Sequence, residues 1–328
     1  MYKKLTFIII LSSGLIACSQ NFYNKKLMKA IENNDIKQVS SILEKQKANI
    51  NYISKAKELK SVFGARMTPL TLASHEGNYP IVELLVDKGA GVNIKDGQGS
   101  TALIEASKTG SLEIVKYLIE NGANINAKAV IGDIFIRTAL MTSLEEGNLE
   151  IVKYLIRNGA DINAKDNNGR TSLIYATAYS DLEAVKYLVE NGADINAKDN
   201  DGETALMIAS YRNLEIVKYL VRNGTDINAK DNDGETALMR ASKYRNLEIV
   251  KYLVRNGANV NAQNNDGETA FDLMVIRGDS EIEGLEDSLR YFLLKDELDE
   301  IDKEEIEKRK EEIIKEAIEI GKVLRGIR

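Results

Sequence analysis

This chain of 328 residues contains no tryptophan, one cysteine and one histidine. That scarcity nearly excludes a His/Cys metal site and a cysteine–histidine nucleophile pair, since Cys18 and His75 stand alone. An excess of positive charge is also missing, because the net charge is −6, and an acidic chain is a poor partner for nucleic acid. We therefore expect no cofactor, no metal and no nucleic-acid partner.

The first twenty residues, MYKKLTFIIILSSGLIACSQ, have the layout of a secretory signal peptide. Two lysines precede the apolar run Leu5–Leu11, which is too short to span a membrane, since spanning takes roughly 20 residues. The ending Leu15-Ile16-Ala17-Cys18 resembles the lipobox of bacterial lipoproteins. The resemblance implies cleavage after residue 17, lipidation of Cys18 and a membrane anchor, with residues 18–24 as a short tether. A plain signal peptide or an uncleaved anchor is the alternative.

The strongest pattern in the remaining chain is a repeat of about 33 residues. A Thr-x-Leu/Phe triplet returns with steps of 33, 37, 33, 33, 32 and 33 residues, and its threonines are Thr68, Thr101, Thr138, Thr171, Thr204, Thr236 and Thr269. An Asn-Gly pair keeps the same register, at Asn121, Asn158, Asn191, Asn223 and Asn256. A period of this length is typical of stacked supersecondary units rather than of a globular domain with one core.

One repeat, residues 201–232, predicts a pair of helices. Thr204 is placed to cap the first helix and Asn213 the second, because their side-chain oxygens can accept backbone N–H groups that have no partner within the helix. The second helix carries an apolar stripe, and Gly224 supplies the left-handed residue that ends it. A polar turn then leads to the next unit.

These units resemble the ankyrin repeat, in Thr68-Pro69-Leu70 and in endings such as Asp161-Ile162-Asn163 and Asp194-Ile195-Asn196. The resemblance implies an all-α solenoid of helix–turn–helix units with protruding turns, over residues 25–284, in about seven or eight repeats. The first repeat and the last are degenerate, and the family's histidine after the triplet is absent. Residues 285–328 leave the pattern and predict a charged helical segment.

Positions that differ between repeats are the candidates for function, and in ankyrin stacks they line a concave groove. Repeats five to seven place a tyrosine- and arginine-rich set there, and tyrosine and arginine are common at binding hot spots. The candidate protein-binding residues are Tyr175, Tyr179, Ile208, Tyr211, Arg212, Arg240, Tyr244 and Arg245. The alternative is that they are ordinary amphipathic or packing residues. His75 aligns with exposed helix positions and is expected to be solvated.

A second candidate is the insertion that produces the 37-residue step. It is apolar where the other turns are polar, and its large residues are Ile131, Ile134, Phe135 and Ile136. An exposed apolar loop often marks a contact site, but this loop could equally fold back over its own repeat. Both interpretations stay open from the sequence.

The sequence favours a non-enzymatic scaffold that is exported, lipid-anchored in a bacterial cell envelope and able to bind another protein through its groove. The expected location faces the periplasm or lies at the outer membrane. A structural envelope protein is the first alternative, and an accessory subunit of an enzyme is a minor one. The C-terminal segment has no His, no Cys and no serine-centred catalytic turn.

Overall fold

A computed structural model describes residues 19–45, 48–55, 66–131 and 135–276. The predictions for the signal peptide, for Cys18, for Ile134 and for the segment 285–328 lie outside the described residues. The chain divides into two compact units, Met1–Asp194 and Ile195–Arg328, which are described separately. Within the described ranges, no helix is long and apolar enough to cross a membrane.

The first unit consists of helix pairs and one hairpin. Helix α1 covers residues 19–32, so the predicted tether over 18–24 is helical from residue 19. Its Asn24 is buried and accepts the backbone N–H of Asn49 at 2.7 Å, which ties this stretch into the first repeat. The further elements are α2 (Ile36–Glu44), α3 (Pro69–His75), α4 (Tyr79–Asp87), α5 (Ala102–Thr109), α6 (Leu112–Glu120), β1 (Ala129–Ile131), β2 (Phe135–Arg137), α7 (Ala139–Glu145), α8 (Leu149–Arg157), α9 (Ser172–Ala178) and α10 (Leu182–Glu190).

The second unit continues the pattern of a short first helix and a nine-residue second helix. Its elements are α11 (Ala205–Ala209), α12 (Leu214–Arg222), α13 (Ala237–Lys243), α14 (Leu247–Arg255) and α15 (Ala270–Ile276). Helix α11 has five residues where α13 has seven. The stretch from Thr204 to Asn213 is one residue shorter than that from Thr236 to Asn246, which leaves less chain for α11.

The predicted helix ends are confirmed in their main points. Thr204 accepts the N–H of Met207 and Asn213 accepts that of Ile216, so both residues cap their helices. Gly224 adopts φ +84° just after α12, the left-handed conformation that favours glycine. The threonine cap is not universal, since Thr101 and Thr171 precede α5 and α9 without a side-chain capping hydrogen bond.

Like helices pack on like helices within each unit. In the first unit α3, α5, α7 and α9 form one row, and α2, α4, α6, α8 and α10 form the other. In the second unit α11, α13 and α15 form one row, and α12 packs on α14. The core lies between the rows, where side chains such as Leu72, Leu85 and Leu118 are fully buried. The all-α solenoid-type architecture is therefore confirmed, with hairpin β1–β2 added by the insertion.

An asparagine links neighbouring repeats at turns that follow second helices. In the first unit, Asn163 donates to the carbonyl of Gly192 at 3.2 Å and accepts the N–H of Asp194 at 2.9 Å. In the second unit, Asn228 does the same with Gly257 and Asn259. These paired bonds give the chain's recurring Ile-Asn its structural role and fix the spacing of consecutive repeats.

Candidate functional site

The turn before several of the first helices places an aspartate beside that helix. In repeat five, Oδ1 of Asp166 accepts the backbone N–H groups of Asn168 and Arg170, both at 2.8 Å. The same closed turn forms around Asp96, Asp199, Asp231 and Asn264. Since Oδ1 is used in closing the turn, Oδ2 is the oxygen that remains for a side chain of the helix. The residue nine positions after the turn residue is the one that can bond to this Oδ2.

Tyr175 occupies that position in the first unit and does not lie on an open surface. Only 7% of it is exposed, and its hydroxyl donates to Oδ2 of Asp166 at 2.9 Å. Burial, together with the nearby charge of Asp166, raises the pKa of Tyr175 to about 12. The expectation of an exposed groove residue is wrong for Tyr175, because the turn carboxylate draws its hydroxyl inward.

Tyr179 ends the same helix and is exposed, with 48% of its surface accessible. Its hydroxyl donates to Oε1 of Glu145 at 2.9 Å. Glu145 is also ion-paired with Arg137 of strand β2. Hydrogen bonds therefore hold an exposed aromatic ring in place beside the hairpin, which reduces the entropy that its ordering would cost on binding.

The apolar insertion forms hairpin β1–β2, in which Ile131 pairs with Phe135 across the strands. Ile136 is half-buried, and its N–H donates to the side chain of Asn167 at 3.0 Å. The side chains of Ile131 and Phe135 lie outside the described part of the chain. Whether the loop is a contact site or a cover stays a prediction.

Arg240 takes the corresponding position in repeat seven and is held by three carboxylates. Its guanidinium lies 2.6 Å from Asp231, 2.7 Å from Glu235 and 3.0 Å from Glu203. Burial alone would lower the pKa of Arg240, but the hydrogen bond to Asp231 and the surrounding charges outweigh it, and the pKa is raised. With 14% of its side chain exposed, Arg240 is an internal partner more than an open contact.

Two tyrosines cover this ion-pair network. The rings of Tyr211 and Tyr244 meet edge to face with centroids 4.6 Å apart. Tyr211 is half-buried and its hydroxyl accepts a hydrogen bond from Arg240 at 2.5 Å, whereas Tyr244 is 50% exposed. Arg212 and Arg245 are exposed beside them, and Ile208 is half-buried. In the second unit the structure thus brings Tyr211, Arg240 and Tyr244 together and leaves Tyr244 accessible.

A histidine and two acidic residues lie close to one another in repeats two and three. Nδ1 of His75 is 3.0 Å from Oε2 of Glu105, so His75 is paired rather than solvated. That hydrogen bond is the main reason that the pKa of His75 is raised. Asp96 closes the turn nine residues before Glu105, and burial raises the pKa of Asp96 to about 6. The nine-residue spacing from turn acid to helix position was the signal in the sequence.

No group of three or more His, Cys, Asp or Glu residues suited to a metal occurs in the part of the chain that the structure describes. What the described part of the chain does bring together is hydrogen-bonded turns, exposed tyrosines and ion pairs.

Comparison with known proteins gives two family models that match the chain. A model described as ankyrin repeats (3 copies) matches residues 27–129, 131–199 and 197–264. A second, described as ankyrin repeats (many copies), matches residues 105–156 and 240–293. A search of curated proteins found no match. The first model covers well over half of the chain.

Proposed function

Since the chain belongs to the ankyrin-repeat family, we propose that it is a non-enzymatic scaffold that binds another protein through the ends of its first helices. The observation that carries the proposal is the position of Tyr179 and Tyr244. Among the described residues, the large apolar or aromatic side chains with high exposure are Phe22, Ile36, Tyr179 and Tyr244. Tyr179 and Tyr244 lie at the C-terminal ends of first helices. Tyr179 is hydrogen-bonded to Glu145, and Tyr244 packs against the ring of Tyr211.

Preorganisation is the mechanism by which such a surface gains affinity. Tyr179 is held by Glu145, and Tyr244 rests on the ring of Tyr211. An aromatic pair of this kind contributes about 0.5–1.5 kcal/mol beyond the area that it buries. Each ring offers apolar area that a partner can bury while little side-chain freedom is lost.

The test compares capture of a partner by variants that keep the fold. Tyr179→Ala with Tyr244→Ala removes the exposed rings and leaves the buried Tyr175 and Arg240 in place. We expect one stoichiometric protein partner to be recovered from detergent-solubilised native envelopes by the wild-type chain and lost with the double variant, at unchanged circular dichroism.

The matched control is Glu150→Ala with Lys153→Ala on the second helix α8. These residues form an exposed ion pair of 2.9 Å, which contributes little to stability. Loss of capture by this control and not by the tyrosine variant would move the contact surface to the second helices. Recovery of cell-wall material in place of a protein would favour the structural envelope alternative.

We also propose that Cys18 is the lipid-anchored first residue of the mature chain, exported to a bacterial cell envelope and facing the periplasm or lying at the outer membrane. The support is the Leu15-Ile16-Ala17-Cys18 sequence after a short apolar run. Stable anchoring takes more than one acyl chain, which the lipobox resemblance implies. Cys18→Ser should move the protein to the aqueous phase in detergent partitioning, and an unmodified Cys18 with Met1 retained in the native protein would refute the anchor.

A further inference from the structure

In the turns that contain an aspartate, Oδ1 of that aspartate closes the turn and Oδ2 does not take part in closing it. In Asp96, Oδ1 accepts the N–H groups of Gln98 at 2.8 Å and of Ser100 at 2.9 Å. Oδ2 has no hydrogen-bond partner and is buried, in a residue that is only 6% exposed. A buried carboxylate oxygen without a partner is costly, so its surroundings should contain a place for a donor.

The chain itself shows what fills this place in other repeats. Oδ2 of Asp166 accepts the hydroxyl of Tyr175, and Oδ2 of Asp231 accepts the guanidinium of Arg240. Both donors stand nine residues after the turn acid. A hydroxyl and a guanidinium are therefore both compatible with the geometry of the turn.

Repeat three has an acceptor where these repeats have a donor. The residue nine positions after Asp96 is Glu105, which is 7% exposed and bonded to His75. Its negative charge acts on Asp96 and adds to the effect of burial on the pKa of that carboxyl. Of these two buried carboxylates, Glu105 is paired with His75 and Oδ2 of Asp96 has no partner. In repeat seven, Arg240 pairs with three carboxylates, and Lys243 pairs with one of them, Glu235.

We propose that Asp96 and Glu105, with His75 at the rim, form a subsite that accepts a guanidinium group from an arginine of the bound protein. Planar guanidinium donors suit two carboxylates better than an ammonium does, because they can bond both at once. His75 is the more exposed partner of Glu105, since 24% of its side chain remains accessible. The identification of the donor as part of a protein rests on the proposed function; the subsite itself does not.

A variant that keeps the fold is available from the chain. Asn264 closes the same turn in the last repeat, where its Oδ1 accepts the N–H groups of Asp266 and Glu268. Asp96→Asn should therefore preserve the turn while it removes the charge. Glu113→Gln removes one negative charge at an exposed position of α6 and is the matched control.

The experiment uses the full-length chain with an affinity tag free of histidine, labelled with ¹³C-histidine. Because the chain has one histidine, the Cε1–H resonance of His75 reports the subsite alone. The probe is N-acetyl-arginine methylamide at pH 7.5. Its uncharged isostere, N-acetyl-citrulline methylamide, and the lysine analogue are titrated in parallel.

We expect a saturable shift of the His75 resonance with the arginine probe, a weaker response to the lysine probe and none to the citrulline probe. Asp96→Asn should weaken the arginine probe by about tenfold or more, as expected when one partner of a buried charge pair is removed, and Glu113→Gln should bind like wild type. Equal shifts with the citrulline probe, or unchanged affinity in Asp96→Asn, would overturn the subsite and leave a water as the partner of Oδ2. Neither result bears on capture through Tyr179 and Tyr244, which the pull-down tests separately.

Discussion

The Arg240→Ala substitution removes the cation that Asp231, Glu203 and Glu235 share in the second unit. Breaking a buried ion pair by removing one partner costs about 3–5 kcal/mol, because the other charge stays buried without compensation. Lys243 remains 2.9 Å from Glu235, and Glu203 is 18% exposed. Because these two features leave part of the charge compensated or solvated, we expect the free energy of unfolding to fall by about 2–4 kcal/mol, less than for a fully buried pair.

Urea unfolding followed by circular dichroism at pH 7.5 measures this loss. Lys218→Ala is the control, because it also removes one positive charge from the second unit. Its ion pair with Glu215 has a separation of 2.7 Å but lies at the surface, with side chains 30% and 63% exposed. Exposed pairs contribute about 0–1 kcal/mol, so the control should be near neutral.

The pH dependence of the loss gives a second check. Burial already raises the pKa of Glu203, and the charge of Arg240 opposes that rise, so removal of Arg240 should raise the pKa of Glu203 in the folded variant further. A carboxyl whose folded pKa is raised stabilises the fold below its unfolded pKa, and that contribution is lost as the pH rises through the folded pKa. The deficit of Arg240→Ala should therefore be smaller at pH 5 than at pH 7.5. A loss below about 1 kcal/mol that is independent of pH would refute the reasoning that this network is desolvated.

Three further substitutions test the scaffold by urea unfolding. Gly192→Val should cost more than about 1 kcal/mol, because φ is +93° and a β-branched residue is strained there; a change of a few tenths would contradict the cap. Asn228→Ala removes both hydrogen bonds to the next repeat and should lower the free energy of unfolding by about 1–2 kcal/mol. No measurable loss would mean that solvent replaces these bonds and would contradict the expectation. Tyr175→Phe leaves Oδ2 of Asp166 without its donor and should cost about 1–3 kcal/mol, an expectation that a neutral variant would exclude.

The backbone-level features could be predicted from the sequence, because they depend on local interactions. Thr204 and Asn213 cap helices by accepting backbone N–H groups three residues further on, and the positive φ at position 224 favours a glycine. The period of about 33 residues then determines how such units stack. The insertion did not indicate its hairpin, since an apolar run of this length fits a strand as well as a loop.

The surface could not be predicted as well, because exposure depends on contacts between positions that are distant in the repeat. Tyr175 and Arg240 look like contact residues by type, yet the turn acids nine residues earlier draw both of them inward. His75 looks solvated because its partner, Glu105, belongs to the next repeat, 30 residues further on. Tyr179 and Tyr244, at the end of the first helix, stay exposed, although Tyr179 also donates to an acid, Glu145.

Because the asparagine link joins each repeat to the next in the same way, an added repeat could form the same hydrogen bonds with its neighbours. Lys-Asp-Asn-Asp-Gly-Glu-Thr-Ala-Leu-Met occurs at 198–207 and again at 230–239, and Arg-Asn-Leu-Glu-Ile-Val-Lys-Tyr-Leu-Val-Arg-Asn-Gly at 212–224 and 245–257. A duplicated segment of the gene would encode both the asparagine and the backbone groups to which it bonds, so the new repeat could stack on its neighbours without further change. Between the two copies, the first helix gains Arg240 in place of Ile208 and an extra residue that adds Lys243. Arg240 and Lys243 both form ion pairs with Glu235. If the second copy arose by duplication, these two changes would have neutralised the negative charge that the duplicated acidic turn added.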